Sequence, residues 1–458
     1  MRILILGGGQ VGALIARRLT RERNEVVIVE SNQDRCNELE AALDIKVIRG
    51  NANSIDTLRR AGLQDMDMLI AVTQSDEANI LGCLIAQAHS DIKIKLMRLR
   101  THEVDLWRSI CESDMLKVDL VIHPDRETVD RILNVIGLGG VSEIYEFAEG
   151  RVKLFGMNIE PGSWVIGKTI QELDRLNPTR RALMAMIFRG HRAIIPRGDD
   201  DLRAGDHVYI TVPSGDYETV TNFMGLPPPR EIKRVFVVAG RQIGIEAALR
   251  LERQGVQVKL FERDLQRCEL ISGLFDKAMV VHADGTEQRV LSEEHIDGID
   301  AYLALSADDE DNIISSLLAR RLGARKAVAL VNRLELLPMA QMLGINSIFS
   351  TRLAVVDRIL QYVRKGKVLS VTTFRNEEVE AIELVATARS KYVGKPLRSL
   401  HLPRGAIVGA IARPSGELLV PSGDAVIQTG DRVVFFCLEQ IVPQLESAFI
   451  AEPQKVIP

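Results

Sequence analysis

The sequence predicts an α/β protein built twice over: two doubly wound parallel sheets, each followed by a small α+β lobe. Three observations predict it. The opening stretch MRILILGGGQVG places four apolar residues, Ile3 to Leu6, directly before three glycines spaced GxGxxG, namely Gly7, Gly9 and Gly12. That pattern is a buried strand, a tight turn and the start of a helix. An acid, Glu30, then closes the next apolar run, Val26 to Val29, eighteen residues past Gly12. Finally, the arrangement is written twice, since VFVVAGRQIG, ending at Gly244, repeats LILGGGQVG 232 residues later and Glu262 matches Glu30 at the same offset. Further on, DMLIAVTQSDEANI (Asp67 to Ile80) aligns with DAYLALSADDEDNI (Asp300 to Ile313). Register kept over such lengths marks an internal duplication in which each half is one structural unit.

The fingerprint carries a chemistry. Gly7 permits the turn, Gly9 lets backbone approach a pyrophosphate, and Gly12 lets the helix pack on its strand, with Gln10 and Val11 at the helix start where free N–H groups face phosphates. The Glu30 carboxylate is placed to accept both ribose hydroxyls of an adenine nucleotide, which favours an unphosphorylated ribose. A lone GxGxxG is equally a Gly-rich turn; the strand before it and the acid after it favour the nucleotide reading. Ligands of such sheets lie at the carboxyl ends of the strands, which gathers Asn51, Ala52, Thr73 and Arg98 around the same crevice. Ordinary turn and helix-start chemistry competes for Asn51 and Thr73, and capping is the preferred reading of Asp76 and Glu77. In the second half the equivalent set is Gly240, Arg241, Gln242, Ile243, Gly244, Glu262, Asp284, Gly285 and Ser306.

Taken in order, six apolar runs alternate with helical patterns: Ile3 to Leu6, Val26 to Val29, Lys46 to Ile48, Met68 to Val72, Ile92 to Met97 and Leu120 to Ile122. This alternation predicts a parallel sheet of Rossmann type. A helix follows in which Val129, Ile132, Leu133 and Ile136 fall on one stripe, repeated as Val356, Ile359, Leu360 and Val363, with DRIL shared by both. Coming after the sheet is complete, this helix either faces its own core or crosses over to a partner lobe, and its stripe is expected to take part in assembly contacts. Gly, Pro and Asp then punctuate short β-type runs from Val141 to Gly225, where VIGKTIQEL (Val165 to Leu173) corresponds to YVGKPLRSL (Tyr392 to Leu400) and AGDHVYI (Ala204 to Ile210) to TGDRVVF (Thr429 to Phe435). Each copy reads as strand, short helix, hairpin, strand. LPPPRE, Leu226 to Glu231, is a stiff connector between the halves. The expected domains are therefore residues 1–140, 141–225, 231–367 and 368–458.

Composition excludes several classes. The net charge is −4 across 458 residues and no basic block with interleaved aromatics occurs, so nucleic acid is not an expected partner. No apolar run approaches the ~20 residues of a membrane span, and the chain opens into a strand with no signal peptide, so a cytoplasmic or membrane-peripheral protein is expected. Five scattered cysteines without a CxxC pair and eight histidines without a ligand-spaced pair indicate neither a disulfide framework nor a metal site.

GGGQVG, Glu30, AVTQSDEANI, IGKTIQEL and the AGD element, all duplicated, resemble the tandem RCK (KTN) family over the whole chain. That resemblance implies two Rossmann-like nucleotide lobes, each with a small C-terminal lobe, binding NAD(H) or ATP/ADP. It also implies a homo-oligomer, a tetramer forming a ring of eight RCK units, at the inner face of the plasma membrane. The implied partner is a potassium-transporting membrane subunit of the Trk type, and the implied role is gating and not catalysis. One departure stands out: the second fingerprint reads Ala239, Gly240, Arg241, Gln242, Ile243, Gly244, so two of its three glycines are replaced and a long cation stands where backbone meets pyrophosphate. An NAD-dependent oxidoreductase is the competing enzyme reading, because the Rossmann lobe alone is common to both, and a nucleotide-responsive scaffold without a membrane partner is the third.

Overall fold

A computed structural model describes residues 1–22, 24–101, 103–190, 192–239, 241–345, 347–363, 370–374 and 379–449. The first half begins with β1 (Arg2–Leu6), α1 (Gln10–Arg21), β2 (Glu25–Glu30), α2 (Gln33–Ala42), β3 (Lys46–Arg49), α3 (Ile55–Arg60), β4 (Met68–Ala71), α4 (Asp76–His89), β5 (Ile94–Arg98), α5 (Val104–Glu112), β6 (Leu120–Ile122) and α6 (Pro124–Ile136). The six strands form one parallel sheet in the order β3-β2-β1-β4-β5-β6. Strand order reverses between β1 and β4, and a ligand crevice opens at such a switch point. Ile3 to Leu6 are fully buried, as expected of a central parallel strand covered on both faces.

The small lobe that follows comprises β7 (Val141–Phe147), β8 (Val152–Asn158), α7 (Ile170–Leu176), β9 (Leu183–Arg189), β10 (Arg192–Ile194), β11 (His207–Pro213) and α8 (Tyr217–Phe223). Its antiparallel sheet runs β10-β9-β11-β8-β7. The pattern then repeats as β12 (Arg234–Val238), α9 (Gln242–Arg253), β13 (Gln257–Glu262), α10 (Leu265–Ser272), β14 (Met279–His282), α11 (Gln288–Glu293), β15 (Ala301–Ala304), α12 (Asp309–Arg321), β16 (Lys326–Leu330), α13 (Leu337–Met342), β17 (Ser347–Phe349) and α14 (Thr351–Val363). This second parallel sheet runs β14-β13-β12-β15-β16-β17. The last lobe holds β18 (Ser370–Phe374), β19 (Val379–Val385), β20 (Ala406–Ala412), β21 (Leu418–Leu419), β22 (Arg432–Leu438) and α15 (Val442–Phe449), with sheet order β18-β19-β22-β20-β21.

One repeated element folds differently in its two copies. In the first, Thr169 caps α7 by accepting the Glu172 N–H while the Glu172 carboxylate accepts the Thr169 N–H. The equivalent positions in the second copy are Pro396 and Ser399, which cannot make that reciprocal pair, and the segment closes as a single 3-10 turn, Leu397–Ser399.

Contacts divide the chain into two compact units, residues 1–128 with 350–363, and residues 129–349 with 364–458. In the first unit α14 packs along α1, burying Val355, Val356, Ile359 and Leu360, and Arg18 on α1 pairs with Asp357 at 3.9 Å. In the second unit Val129, Ile132, Val135 and Ile136 of α6 join the core formed by Val235, Val237, Ala247 and Leu251, and Arg250 on α9 pairs with Asp130. The DRIL repeat is thus an ion-pairing Asp followed by core residues, and each copy completes the core of the other half's lobe. Lys326, at the start of β16, donates to the carbonyls of Val135 (2.5 Å), Leu138 (3.0 Å) and Val141 (2.7 Å), pinning the segment that runs from the last turn of α6 to the start of β7. Desolvation, with Arg320 adding to it, pushes the Lys326 ammonium down to about 7, while the three carbonyls favour its charged form.

Candidate functional site

The crevice lies in the first unit, at the carboxyl ends of β1, β2 and β4, with a cavity volume of about 560 Å³. Gly7, at the end of β1, turns the chain with φ of +103°, and a Cβ there would stand 2.9 Å from the Thr73 backbone, so only glycine fits. Gly12 packs its Cα against that turn: a Cβ would come 1.9 Å from the Gly7 carbonyl oxygen. Gly9 is the N-cap of α1 and makes no side-chain cap bond, and a Cβ there would meet only the end of the Arg35 side chain at 3.3 Å. Two of the three glycines therefore build the turn, and the third leaves a helix N-terminus bare toward the cavity, the arrangement that receives a phosphate.

Glu30, at the end of β2, is 8% exposed. Its Oε2 accepts the Gly8 N–H at 2.7 Å, and Oε1 accepts the Asn32 N–H at 2.9 Å. Oε1 also accepts the Ser31 hydroxyl at 3.3 Å, so Oε2 keeps a further lone pair and Oε1 gains one when that hydroxyl rotates away, which leaves the pre-aimed carboxylate able to take two hydroxyl donors.

The rest of the lining is cationic. Arg35, Arg98, Arg100 and Arg352 all line the cavity, against the single carboxylate of Glu30. Arg98, the last residue of β5, is 5% exposed, and its Nη2 donates to the Thr73 carbonyl at 2.5 Å while its buried Nε has no partner. Burial, reinforced by Arg100 and opposed by Asp76, pushes the guanidinium down to about 10, so it is still charged at neutral pH. A buried cation with an unused donor at the edge of a polar cavity is an anion-binding feature.

The remaining expected residues sort by what they touch. Gly7, Gly9, Gln10, Val11, Glu30, Asn51, Ala52, Thr73 and Arg98 all line the one cavity, and Gly12 stands behind it. Thr73 also has a structural duty: Asn79 Oδ1 accepts from its N–H (2.8 Å) and hydroxyl (2.7 Å), and Asn79 Nδ2 donates to the Arg98 carbonyl, tying the ends of β4 and β5 together. Asp76 accepts the backbone N–H groups of Arg100 and Thr101, and Ser75 is the cap of α4, so Asp76 braces a loop. Arg35, Arg100 and Arg352 escaped the sequence reading. Arg35 sits just past Glu30, where an i+5 cation was visible, whereas Arg352 comes from α14 and only its packing on the first lobe brings it there.

Around the second fingerprint the arrangement differs. Gly240 lies outside the described residues. Arg241 is exposed at the N-cap of α9, Ile243 belongs to the hydrophobic core, and Gly244 abuts the Ala239 methyl, where a Cβ would come within 1.8 Å. Gly285 is enclosed by Val238 and Phe261, and its carbonyl accepts the Tyr302 hydroxyl. Glu262 is 6% exposed, accepts the Asp264 N–H at 3.0 Å, and has Arg267 at 3.5 Å from Oε2. Ser306 and Asn312 repeat the Thr73–Asn79 brace. Asp284 pairs with Arg263 at 2.8 Å and accepts from the Thr286 hydroxyl. Against the desolvation of its burial, Thr286 and the Arg263 guanidinium hold its carboxyl below the usual range.

Among the described residues no cluster of His, Cys, Asp or Glu is arranged to hold a metal ion, and no helix is long and apolar enough to cross a membrane. The TrkA-N domain model matches residues 3–124 and 235–351, and the TrkA-C domain model matches residues 154–225 and 381–450. The chain is 35% identical over 443 residues to the Trk system potassium uptake protein TrkA of Halomonas elongata, covering 96% of each. It is 34% identical over 458 residues to the protein of that name from Vibrio alginolyticus, covering 99% of each. Among solved structures, the GsuK channel aligns with a TM-score of 0.60 at 19% identity, covering 96% of this chain and 78% of that one. The GsuK RCK domain aligns with a TM-score of 0.58 at 19% identity, covering 98% and 95%. These two likenesses are of fold.

Proposed function

The chain belongs to the TrkA family, with both domain types present twice and 35% identity to a potassium uptake protein over nearly its full length, and from that premise we propose that it is the nucleotide-binding gating subunit of a Trk-type potassium transporter. The observation that carries the reading is the first crevice, where a bare helix N-terminus at Gly9, an acceptor at Glu30 and four arginines converge on one cavity. NAD(H), or ATP/ADP, fits it by chemistry. Glu30 takes the ribose hydroxyls, the N–H groups at Gly9, Gln10 and Val11 take phosphate oxygens, and Arg98 neutralises them from the buried side, with Asn51, Ala52 and Thr73 completing the walls.

Occupancy becomes a signal through α14. Arg352, in its first turn, lines the crevice, and the residues just before that helix form β17 of the second sheet. A phosphate bound by Arg352 therefore stabilises one placement of a helix that is covalently continuous with the other half, and differential binding of that kind is what shifts a conformational equilibrium. The protein works as a homo-oligomer, a tetrameric ring of eight RCK units, in the cytoplasm at the inner face of the plasma membrane against the potassium-transporting subunit. It regulates transport and performs no chemistry on its nucleotide.

The test is reconstitution. The purified chain is added to vesicles containing the Trk-type membrane subunit, and rubidium uptake is measured with NADH, NAD, ATP, ADP or none. Nucleotide-dependent uptake that requires the chain is expected. Uptake indifferent to both chain and nucleotide, or consumption of NADH by the chain with oxo-acid substrates, overturns the reading.

A further inference from the structure

We propose that the chain takes one nucleotide and not two, because the second crevice is occupied by an ion-paired bridge of its own residues, Arg263 to Asp284 and Asp311. The inference rests on the reading of the first crevice as the nucleotide site. In that crevice Ser31, Asn51 and Ala78 line the cavity. Their equivalents are fixed by the repeat, since Ser31 and Arg263 each follow the acid that ends the second strand, and Ala78 and Asp311 each precede the bracing Asn. All three small or neutral residues are thus replaced by charged ones. Arg263 lies 2.8 Å from Asp284 and 3.3 Å from Asp311 and donates to the Thr286 hydroxyl at 3.1 Å. It spans from the end of β13 to the loop after β14 and to the first turn of α12, the positions between which the first lobe is open.

A half-exposed ion pair alone is a weak barrier, because a ligand could swing Arg263 aside at small cost. Two further differences make displacement unfavourable. Moving Arg263 leaves Asp284 and Asp311 facing the phosphates, where the first crevice has Asn51 and Ala78. The buried cation is also gone: Asn79 donates to the carbonyl of Arg98, Asn312 donates to the carbonyl of Leu330, and so Leu330, 4% exposed, stands where Arg98 does. The acid Glu262 survives, with Arg267 beside it where the first lobe has Arg35, but the buried cation does not. Arg241 is exposed at the N-cap of α9, and the described contacts tie it to neither Asp284 nor Asp311, so the bridge is built by Arg263 alone.

Calorimetry on the full chain with NADH and with ATP tests this. One site per chain is expected, abolished by Gly9→Val, and an azido-adenine nucleotide is expected to label only peptides of residues 1–128 and 350–363. The triple variant R263S/D284N/D311A, which restores the first lobe's residues, should raise the count from one to two, the new site being about tenfold or more weaker because Leu330 remains. If the triple variant fails to fold, R263S alone is titrated and the labelling map of the unmodified chain still decides. Two sites in the unmodified chain, label in residues 234–349, or a folded variant that stays at one site overturns the inference. Two sites leave the first-crevice reading intact, whereas a chain that binds no nucleotide at all overturns both.

Discussion

Replacing Arg98 by leucine, the residue at the same place in the second lobe, separates what the buried guanidinium does for the ligand from what it does for the fold. Arg98 is 5% exposed, gives one hydrogen bond to the Thr73 carbonyl and leaves Nε unused, and among the described residues no carboxylate forms an ion pair with it. Holding such a charge in the interior is unfavourable, so Arg98→Leu is expected to leave the unliganded melting temperature unchanged or raised. The Thr73 carbonyl is not orphaned, because Asn79 Nδ2 also donates to it at 3.2 Å. With nucleotide bound the balance reverses. A hydrogen bond to a charged group contributes about 1.5–3 kcal/mol, which weakens the Kd for ATP or NADH by about tenfold to a hundredfold. Adenosine, which has no phosphate, should bind both forms alike. Calorimetry with the three ligands and thermal denaturation without them supply the readouts. Equal losses for ATP and adenosine, or a clear fall in the unliganded melting temperature, would show that Arg98 is a structural residue and refute the assignment.

Gly9→Val should fold, since a Cβ there meets only the tip of Arg35, yet lose nucleotide-induced thermal stabilisation; Gly12→Ala, whose Cβ would lie 1.9 Å from the Gly7 oxygen, should lower the melting temperature itself. A Gly9→Val protein that still gains stability from NADH would make the fingerprint a mere turn. Lys326, pushed down to about 7, leaves the folded chain binding fewer protons than the unfolded one up to its ordinary value of 10.5, so stability rises with pH across that window. Urea denaturation at pH 7 and pH 9.5 should show this rise in the parent and a smaller one in Lys326→Met; identical slopes contradict it. Ile132→Asp places an unpaired charge at a fully buried position in the second lobe's core and should cost roughly 3–5 kcal/mol in urea titration. A lower light-scattering mass at unchanged stability would instead make that stripe a contact between chains.

Most of the scaffold was legible because strands of a parallel sheet covered on both faces read as unbroken apolar runs, and all six expected runs of the first lobe fall on β1 to β6. The fifth was placed to begin at Ile92, but pairing with β4 starts at Ile94, since Ile92 is buried without joining the ladder. Gly7, Glu30, Asn51 and Thr73, which stand at or just past strand ends, were legible as cavity residues, whereas Arg100, two residues past β5, was not. What could not be read was whatever depends on where a helix packs. The DRIL stripe announced an apolar face without saying whose core it enters, and Arg352 belongs to the crevice only because α14 lies on α1. Arg263 escaped for a related reason: a charged residue after a strand looks like any solvated surface position until its two acids are seen around it. The Arg241 substitution drew attention as the loudest local departure, yet its side chain is exposed.

The duplication supplies an internal control on which residues serve the fold and which serve the ligand. Bonds that hold the lobe together recur in both copies. Asn79 and Asn312 make the same brace, Asp76 and Asp309 accept from the loop after the fifth strand, and Arg18 with Asp357 mirrors Arg250 with Asp130. The fold is the same in both halves, so bonds that recur are ones the lobe itself uses, whether or not a ligand is present. Among the positions that differ are five whose first-lobe member lines the cavity: Gly9 against Arg241, Ser31 against Arg263, Asn51 against Asp284, Ala78 against Asp311 and Arg98 against Leu330. A change from neutral to charged residues at three of these positions, while the bracing bonds around them persist, is what the proposed loss of a ligand from the second copy would leave. On the proposed reading the two lobes have different tasks: the first takes the nucleotide, and the second keeps its fold without one while the α14 that follows it supplies Arg352 to the first crevice.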